Sequence, residues 1–173
     1  MELVTTAAFV AVMAVAGVLD LRTRRIPNWL TLGGLAVALL LRGITGTGPL
    51  LDGLAGAAFG LVTGLLLFML RALGGGDGKL LMTAGAFFGF APMVGALLAI
   101  GILGGLLGVV EAVRRGVILP ALYNAGGMLK RWATLGRAGS ARTLESPGAV
   151  KVPYGVAIAA GAIAWWFWGV PVL

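Results

Sequence analysis

Two acidic residues are the strongest candidates for chemistry in this sequence, because each lies where a long apolar run meets a short polar segment. Asp20 ends the first apolar run and precedes a basic stretch that contains Ile26-Pro27-Asn28. Asp77 lies within Gly74-Gly75-Gly76-Asp77-Gly78-Lys79, between two further apolar runs. The chain has no histidine and no cysteine, which excludes thiol nucleophiles, Ser-His triads and the usual zinc sites. Any catalysis must therefore rely on carboxylates, hydroxyls, lysine or tyrosine.

A pair of carboxyls can hydrolyse a peptide bond if the fold brings Asp20 and Asp77 together. Neighbouring carboxyls do not both ionise readily, so they share a proton and divide the roles of base and acid. The base takes a proton from water, and the acid protonates the carbonyl oxygen or the departing nitrogen. A helix N-terminus favours the charged form at Asp77, and a helix C-terminus favours the protonated form at Asp20. We therefore favour Asp77 as the base, although such a pair titrates as a unit.

Each of these residues also has a purely structural explanation. Asp20 could form a salt bridge with one of the arginines that follow it, Arg22, Arg24 and Arg25. Asp77 could be the N-cap of a helix, and Lys79 could be a loop lysine whose amine reaches water. A phosphate-binding loop is excluded, because that pattern requires glycine at position 73 and serine or threonine at position 80. Both positions are leucine.

The composition is typical of a polytopic membrane protein. The 173 residues are 60% hydrophobic and 11% charged, with a mean hydropathy of +1.03, whereas about a quarter of the residues of a soluble domain are charged. Several uncharged runs approach or exceed the roughly 20 residues that cross a bilayer. We expect an all-α protein that forms a single membrane domain over residues 1–173. The net charge of +7 is interpreted as a signal of topology and not of nucleic-acid binding.

The apolar runs and their breaks predict six transmembrane helices. Pro27 can open the second helix, and Gly89, Pro92 and Gly95 predict a break near residue 91 of a long uncharged run. The fourth helix, from Asp77 to about residue 90, is then about 20 Å long at 1.5 Å per residue. Since the hydrocarbon core is about 30 Å thick, Asp77 is expected in a recess below the membrane surface. The predicted helices are 3–19, 29–41, 50–70, 77–90, 92–113 and 152–173.

The basic residues support this division. With six helices, loops one, three and five lie on the same side, and they contain every lysine and arginine except Arg42. The positive-inside rule then places these loops in the cytoplasm and both termini outside. The longest of them is the loop of about residues 114–151. A segment of that loop around 122–135 is interpreted as amphipathic and expected to lie on the membrane surface.

Glycines and aromatic residues predict how the helices pack. Glycines recur every three or four residues on the third helix and on the fifth, which predicts two faces of close helix packing. These residues are Gly53, Gly56, Gly60 and Gly64 on the third helix, and Gly101, Gly104, Gly105 and Gly108 on the fifth. Tyr154 and three tryptophans of the last helix, Trp165, Trp166 and Trp168, are interpreted as anchors at the membrane interface.

Taken together, the motifs resemble those of the type IV prepilin peptidase family of membrane aspartyl proteases. One hallmark of that family is an aspartate before a basic loop with Ile-Pro-Asn, and a second is Gly-x-Gly-Asp-x-Lys-Leu; Asp20 and Asp77 match them. The segment from Val152 to Ala159 is similar to the Pro-Tyr-Gly start of the family's last helix. The resemblance implies that Asp20 and Asp77 are catalytic. It further implies a supporting role for Ile26, Pro27, Asn28, Gly74, Gly76 and Lys79.

The resemblance implies a prepilin as the substrate, with its short basic leader cut on the cytoplasmic side just before its hydrophobic helix. It also implies a location in the lipids of the bacterial inner membrane. Larger family members carry a cysteine-containing zinc insert and methylate the new N-terminus. This chain has no cysteine and only eight residues between Asp20 and Trp29, so it resembles the stand-alone branch that serves Tad/Flp pili. No methyltransferase activity, metal, cofactor or nucleic-acid partner is expected.

Two other functions fit the same composition. The chain could be a small transporter coupled to protons or cations, or a non-catalytic scaffold subunit of a pilus or secretion system. A transporter predicts acids deep within its helices, whereas Asp20 and Asp77 are expected near one face. A scaffold tolerates asparagine at either position, and an aspartyl protease does not.

Overall fold

The computed structural model describes residues 2–70, 72–116 and 154–169, which form six helices and no strand. The all-α prediction is therefore confirmed. Most of the predicted 114–151 loop, including its segment around 122–135, lies outside the described residues. The helices are α1 (Glu2–Thr23), α2 (Asn28–Thr45), α3 (Thr47–Met69), α4 (Gly75–Phe88), α5 (Phe90–Arg114) and α6 (Tyr154–Trp168).

Four of these helices, α1, α2, α3 and α5, are long and apolar enough to cross a membrane, and α6 is a shorter apolar helix. Large apolar side chains are exposed along the outside of the bundle, as in Leu98 and Ile102 of α5. Exposure on this scale suits helices that are surrounded by lipid rather than water.

The short helix α4 occupies the centre of the bundle. The other helices form a closed ring in the order α1, α2, α3, α5 and α6, and α4 contacts all five of them. Nine of the 14 residues of α4 are buried. Its many small residues, such as Gly78, Ala84 and Gly85, let the surrounding helices approach closely. The central position of α4 fixes where the residues at its two ends can lie.

The predicted glycine face of the third helix is confirmed, because these glycines pack on the backbone of α4. A methyl group added to Gly64 would lie 2.5 Å from Cα of Gly78, and one added to Gly60 would lie 2.8 Å from the carbonyl carbon of Leu81. Side chains at these positions would force the two helices apart.

The corresponding prediction for the fifth helix is largely wrong within the described residues. Gly104 faces Ala157 and Tyr154 of α6. A methyl group added to Gly101, Gly105 or Gly108 would have no described atom within 4 Å. The spacing of the glycines was right for a helical face, but it does not identify which side of α5 faces a neighbour.

The break between α4 and α5 falls at Gly89, two residues before the predicted position, and its φ of 81° is one that glycine adopts readily. An ion pair of 3.0 Å between Arg42 of α2 and Asp52 of α3 stabilises the break. Arg42 Nη2 donates to the carbonyl of Phe87, and Asp52 Oδ1 accepts from the N–H of Phe90. The pair thus satisfies backbone groups that the interrupted helix leaves open.

The tryptophans of α6 differ from their interpretation as interfacial anchors. Trp166 stacks on Phe9 with 4.4 Å between ring centroids, and its Nε1 donates to Oγ1 of Thr6. Trp165 also packs against the core, whereas Trp168 is 88% exposed. Of these three side chains Trp168 is the most exposed, and the other two also contribute to the packing of the core.

Candidate active site

Asp20 lies inside the last turn of α1, because this helix continues to Thr23, beyond its predicted end. The residue that follows the helix, Arg24, has a φ of 54° and donates its N–H to the carbonyl of Asp20 at 3.0 Å. This is the left-handed helix ending in which glycine is more usual. The turn directs the chain into the short segment before α2, whose N-cap is Pro27. Asp20 is thereby held at the end of the bundle, and only 7% of it is exposed.

Asp77 is the third residue of α4 and not its N-cap, which is Gly74. The helix therefore begins two residues earlier than predicted. Oδ2 of Asp77 accepts a hydrogen bond of 2.9 Å from the N–H of Gly74. An acidic side chain that reaches back to the N-cap is one half of a capping box. This bond orients the carboxylate and uses one of its two oxygens.

Asp20 and Asp77 line the same cavity, which has a volume of about 590 Å³. The structure therefore brings together the two acids that the sequence singled out, from helices that are far apart along the chain. The remaining walls come from the end of α1, the segment before α2 and the start of α4: Leu19, Thr23, Arg24, Arg25, Ile26, Pro27, Asn28, Gly74, Gly75 and Gly76.

The supporting residues join the two motifs to each other. Lys79 Nζ donates a hydrogen bond of 2.8 Å to Oδ1 of Asn28. A methyl group added to Gly76 would lie 3.3 Å from Cβ of Ile26, so these backbones are nearly in contact. Of the predicted site residues, Lys79 alone is absent from the cavity wall. Its contact with Asn28 nevertheless ties the start of α4 to the start of α2.

Oδ2 of Asp20 is buried and has no hydrogen-bond partner within residues 2–70, 72–116 and 154–169. A salt bridge with the arginines that follow therefore does not explain this oxygen. Buried polar atoms without a partner are rare in folded proteins, and each calls for a specific explanation. A side chain held ready for chemistry is one such explanation.

The start of α6 also lies at the site. Tyr154, which was interpreted as an interfacial anchor, is packed against the core. A methyl group added to Gly155 would lie 2.8 Å from Cγ of Asp20. The third motif was the signal that could have identified both residues, since it includes them.

Apolar helices around a short central helix, with two acids in one cavity, define a multi-pass membrane protein with a site built from carboxyls. The chain belongs to the type IV leader peptidase family, whose sequence profile matches residues 7–109. The match includes Asp20 and Asp77 and ends before α6. No curated protein and no solved structure matches the chain. Membership confirms the resemblance seen in the motifs and implies a peptidase.

Proposed function

We propose that this protein is an aspartic endopeptidase that cleaves the leader peptide of prepilins, with Asp20 and Asp77 as its catalytic pair. The observation that carries the proposal is the presence of both carboxyls in one cavity, in a chain of the leader peptidase family. The unpartnered Oδ2 of Asp20 adds support, because that oxygen is not needed for a structural bond.

In the proposed mechanism, Asp77 acts as the base and Asp20 as the acid. Asp77 takes a proton from a water molecule, whose oxygen attacks the carbonyl carbon of the scissile peptide. Asp20 gives its proton to the carbonyl oxygen, which yields a tetrahedral diol. Transfer of the proton on Asp77 to the nitrogen then allows the C–N bond to break, and Asp20 recovers a proton as the new carboxyl forms. The pair ends in its initial protonation state.

We place the cavity at the cytoplasmic face of the bacterial inner membrane. The supporting arguments are the basic residues around the cavity, Arg24 and Arg25 among them, and the positive-inside rule. In the proposed topology all six helices cross the membrane and both termini lie outside. With 14 residues, α4 is about 20 Å long and therefore shorter than the membrane is thick. Its first turn, which carries Asp77, then lies below the membrane surface, and the cavity there lets water reach Asp77.

We further assign the chain to the stand-alone branch that serves Tad/Flp-type pili. Only residues 24–27 separate α1 from α2, which leaves no room there for the zinc insert of the larger enzymes. A peptidase of this branch would process short pilins and would not methylate them.

The first prediction tests the pair directly. The chain is co-expressed with a Flp-type prepilin, and cleavage is followed as a decrease in pilin size. Asp20→Asn and Asp77→Asn each keep the shape of the side chain but replace the ionisable carboxyl with an amide that cannot act as an acid or a base, so each should abolish processing. Glu111→Gln is the matched control, since within the described parts of the chain Glu111 pairs with Arg115, one helical turn away, and not with a residue of the site. Normal processing by either Asn variant would refute the pair, and loss of processing in the control would show that the assay reports folding.

A further inference from the structure

The start of α6 packs directly on the candidate catalytic pair. Gly155, the second residue of this helix, is buried. A methyl group added to it would lie 2.8 Å from Cβ and Cγ of Asp20 and 2.9 Å from its Oδ2. Carbon atoms in contact are separated by about 3.5–4.0 Å. Only glycine therefore allows Asp20 its present position against this helix.

The orientation of the Asp20 carboxyl depends on this packing. Oδ2 has no hydrogen-bond partner in the described part of the chain, so no bond at that oxygen fixes the rotation of the carboxyl. The surface that the oxygen meets instead is Gly155. Side chains of a catalytic site are usually held by bonds or packing in a second layer of residues. Gly155 holds Asp20 by packing, because the lack of a side chain lets its backbone lie against the carboxyl.

The position of Gly155 is itself fixed by the contact of α6 with α1. One turn further along α6, Ala159 meets α1 so closely that a methyl group added to Gly17 would lie 3.2 Å from its Cβ. This contact leaves the start of α6 little freedom to move away from Asp20. Gly161, about 9 Å further along α6 than Gly155, faces α5 instead, where an added methyl group would lie 2.6 Å from Cα of Ile100.

We propose that Gly155 is a positioning residue of the peptidase: its absent side chain lets α6 hold the Asp20 carboxyl in place at the wall of the cavity that Asp20 shares with Asp77. The inference rests on the proposed role of Asp20 as the catalytic acid. The family match ends at residue 109, and the role assigned to α6 is argued from its contacts. In this arrangement α6 completes a site whose reacting groups belong to α1 and α4.

The test compares Gly155→Ala with Gly161→Ala, which places the same methyl group in the same helix against a different neighbour. Both variants are purified in detergent, their thermal unfolding is measured, and kcat and KM are determined with a Flp-type prepilin. Displacement of a catalytic group by about 1 Å can cost about 100-fold in rate, and we expect a loss of that order in kcat for Gly155→Ala with little change in KM. Gly161→Ala should lower the unfolding temperature and keep most of its kcat.

A purely structural role would affect both variants alike, so the pH dependence of kcat/KM provides a separate readout. This profile reports the protonation of the acid and base in the free enzyme. It should shift in Gly155→Ala and stay unchanged in Gly161→Ala. Wild-type kcat in Gly155→Ala, or equal losses of kcat in the two variants, would overturn the proposal.

A milder variant decides the matter if Gly155→Ala does not fold. The methyl group of Gly17→Ala would need only a small displacement of Ala159, because the contact is 3.2 Å. We expect this variant to fold and to lose part of its kcat, with a shifted pH profile. An unchanged kcat and profile would overturn the positioning role.

Failure of this inference can be distinguished from failure of the proposed function. If Asp20→Asn abolishes cleavage but Gly155→Ala does not reduce it, only the role of Gly155 is wrong. If Asp20→Asn leaves cleavage unchanged, the catalytic pair is wrong, and the inference fails with it.

Discussion

At the scale of single residues, the hydrogen bond between Lys79 and Asn28 is the contact that most directly connects the two motifs. It joins the start of α4 to the start of α2 over 2.8 Å. The sequence allowed two explanations for Lys79, a supporting residue of the site and a loop lysine whose amine reaches water. In the structure Lys79 belongs to α4, and its exposed amine binds the side-chain amide of Asn28. Lys79 therefore orients the segment that carries Asp77.

A double-mutant cycle of Lys79→Met and Asn28→Ala tests this contact. Each single variant should be destabilised by about 1 kcal/mol, the usual net contribution of such a hydrogen bond, and should cleave prepilin more slowly. Because both changes remove the same bond, the double variant should lose less than the sum of the two. Thermal unfolding and cleavage rates provide the measurements. Strictly additive effects would show that the two side chains act independently.

At the scale of helices, the packing of α3 on α4 determines the depth of Asp77 in the bundle. The two helices approach so closely that Gly64 and Gly78 meet through their backbones. The contact is asymmetric, because a methyl group on Gly64 would lie 2.5 Å from Cα of Gly78, whereas one on Gly78 would lie no closer than 3.4 Å to Gly64. Similar substitutions at the two positions should therefore have opposite effects.

Gly64→Ala should be destabilised by about 1–3 kcal/mol, as expected for overpacking, and should lose activity because α4 is displaced. Gly78→Ala has room for its methyl group and should gain about 0.4–1 kcal/mol from the lower entropy of the unfolded chain. Its activity should remain. Unfolding temperatures of the two variants in the same detergent check the prediction. Destabilisation by both would indicate that α3 and α4 pack more tightly than the structure shows.

At the scale of the whole molecule, the proposed topology of six membrane spans puts the α2–α3 connection on the opposite side of the membrane from the end of α5. The chain has no cysteine, so single cysteines can be labelled without background. Gly48→Cys should react with a membrane-impermeant maleimide added outside, because its surroundings are open. Arg114→Cys should react only after the membrane is permeabilised. Labelling of both from the same side would refute the proposed topology, and a cysteine at Arg137 extends the test to the long loop.

Local patterns of the sequence determined the class of the protein and the identity of its two acids. Hydropathy and basic residues indicate membrane helices without knowledge of their neighbours, because transfer into lipid depends on each segment by itself. Asp20 and Asp77 could be identified because acids beside apolar helices are rare and carry distinctive flanking residues. The ends of α1 and α4 were less accurate, since caps and last turns depend on local backbone geometry.

Only the tertiary structure decided which helix faces meet and what surrounds the two acids. Helices that are apolar on every side carry little information about their neighbours. For this reason the same spacing of glycines gave a correct packing face for α3 and a largely wrong one for α5. The central position of α4, the shared cavity and the contact of Gly155 with Asp20 all follow from packing between segments far apart in sequence. The sequence identified the two candidate catalytic acids, and the fold determined that a glycine of the last described helix lies against one of them.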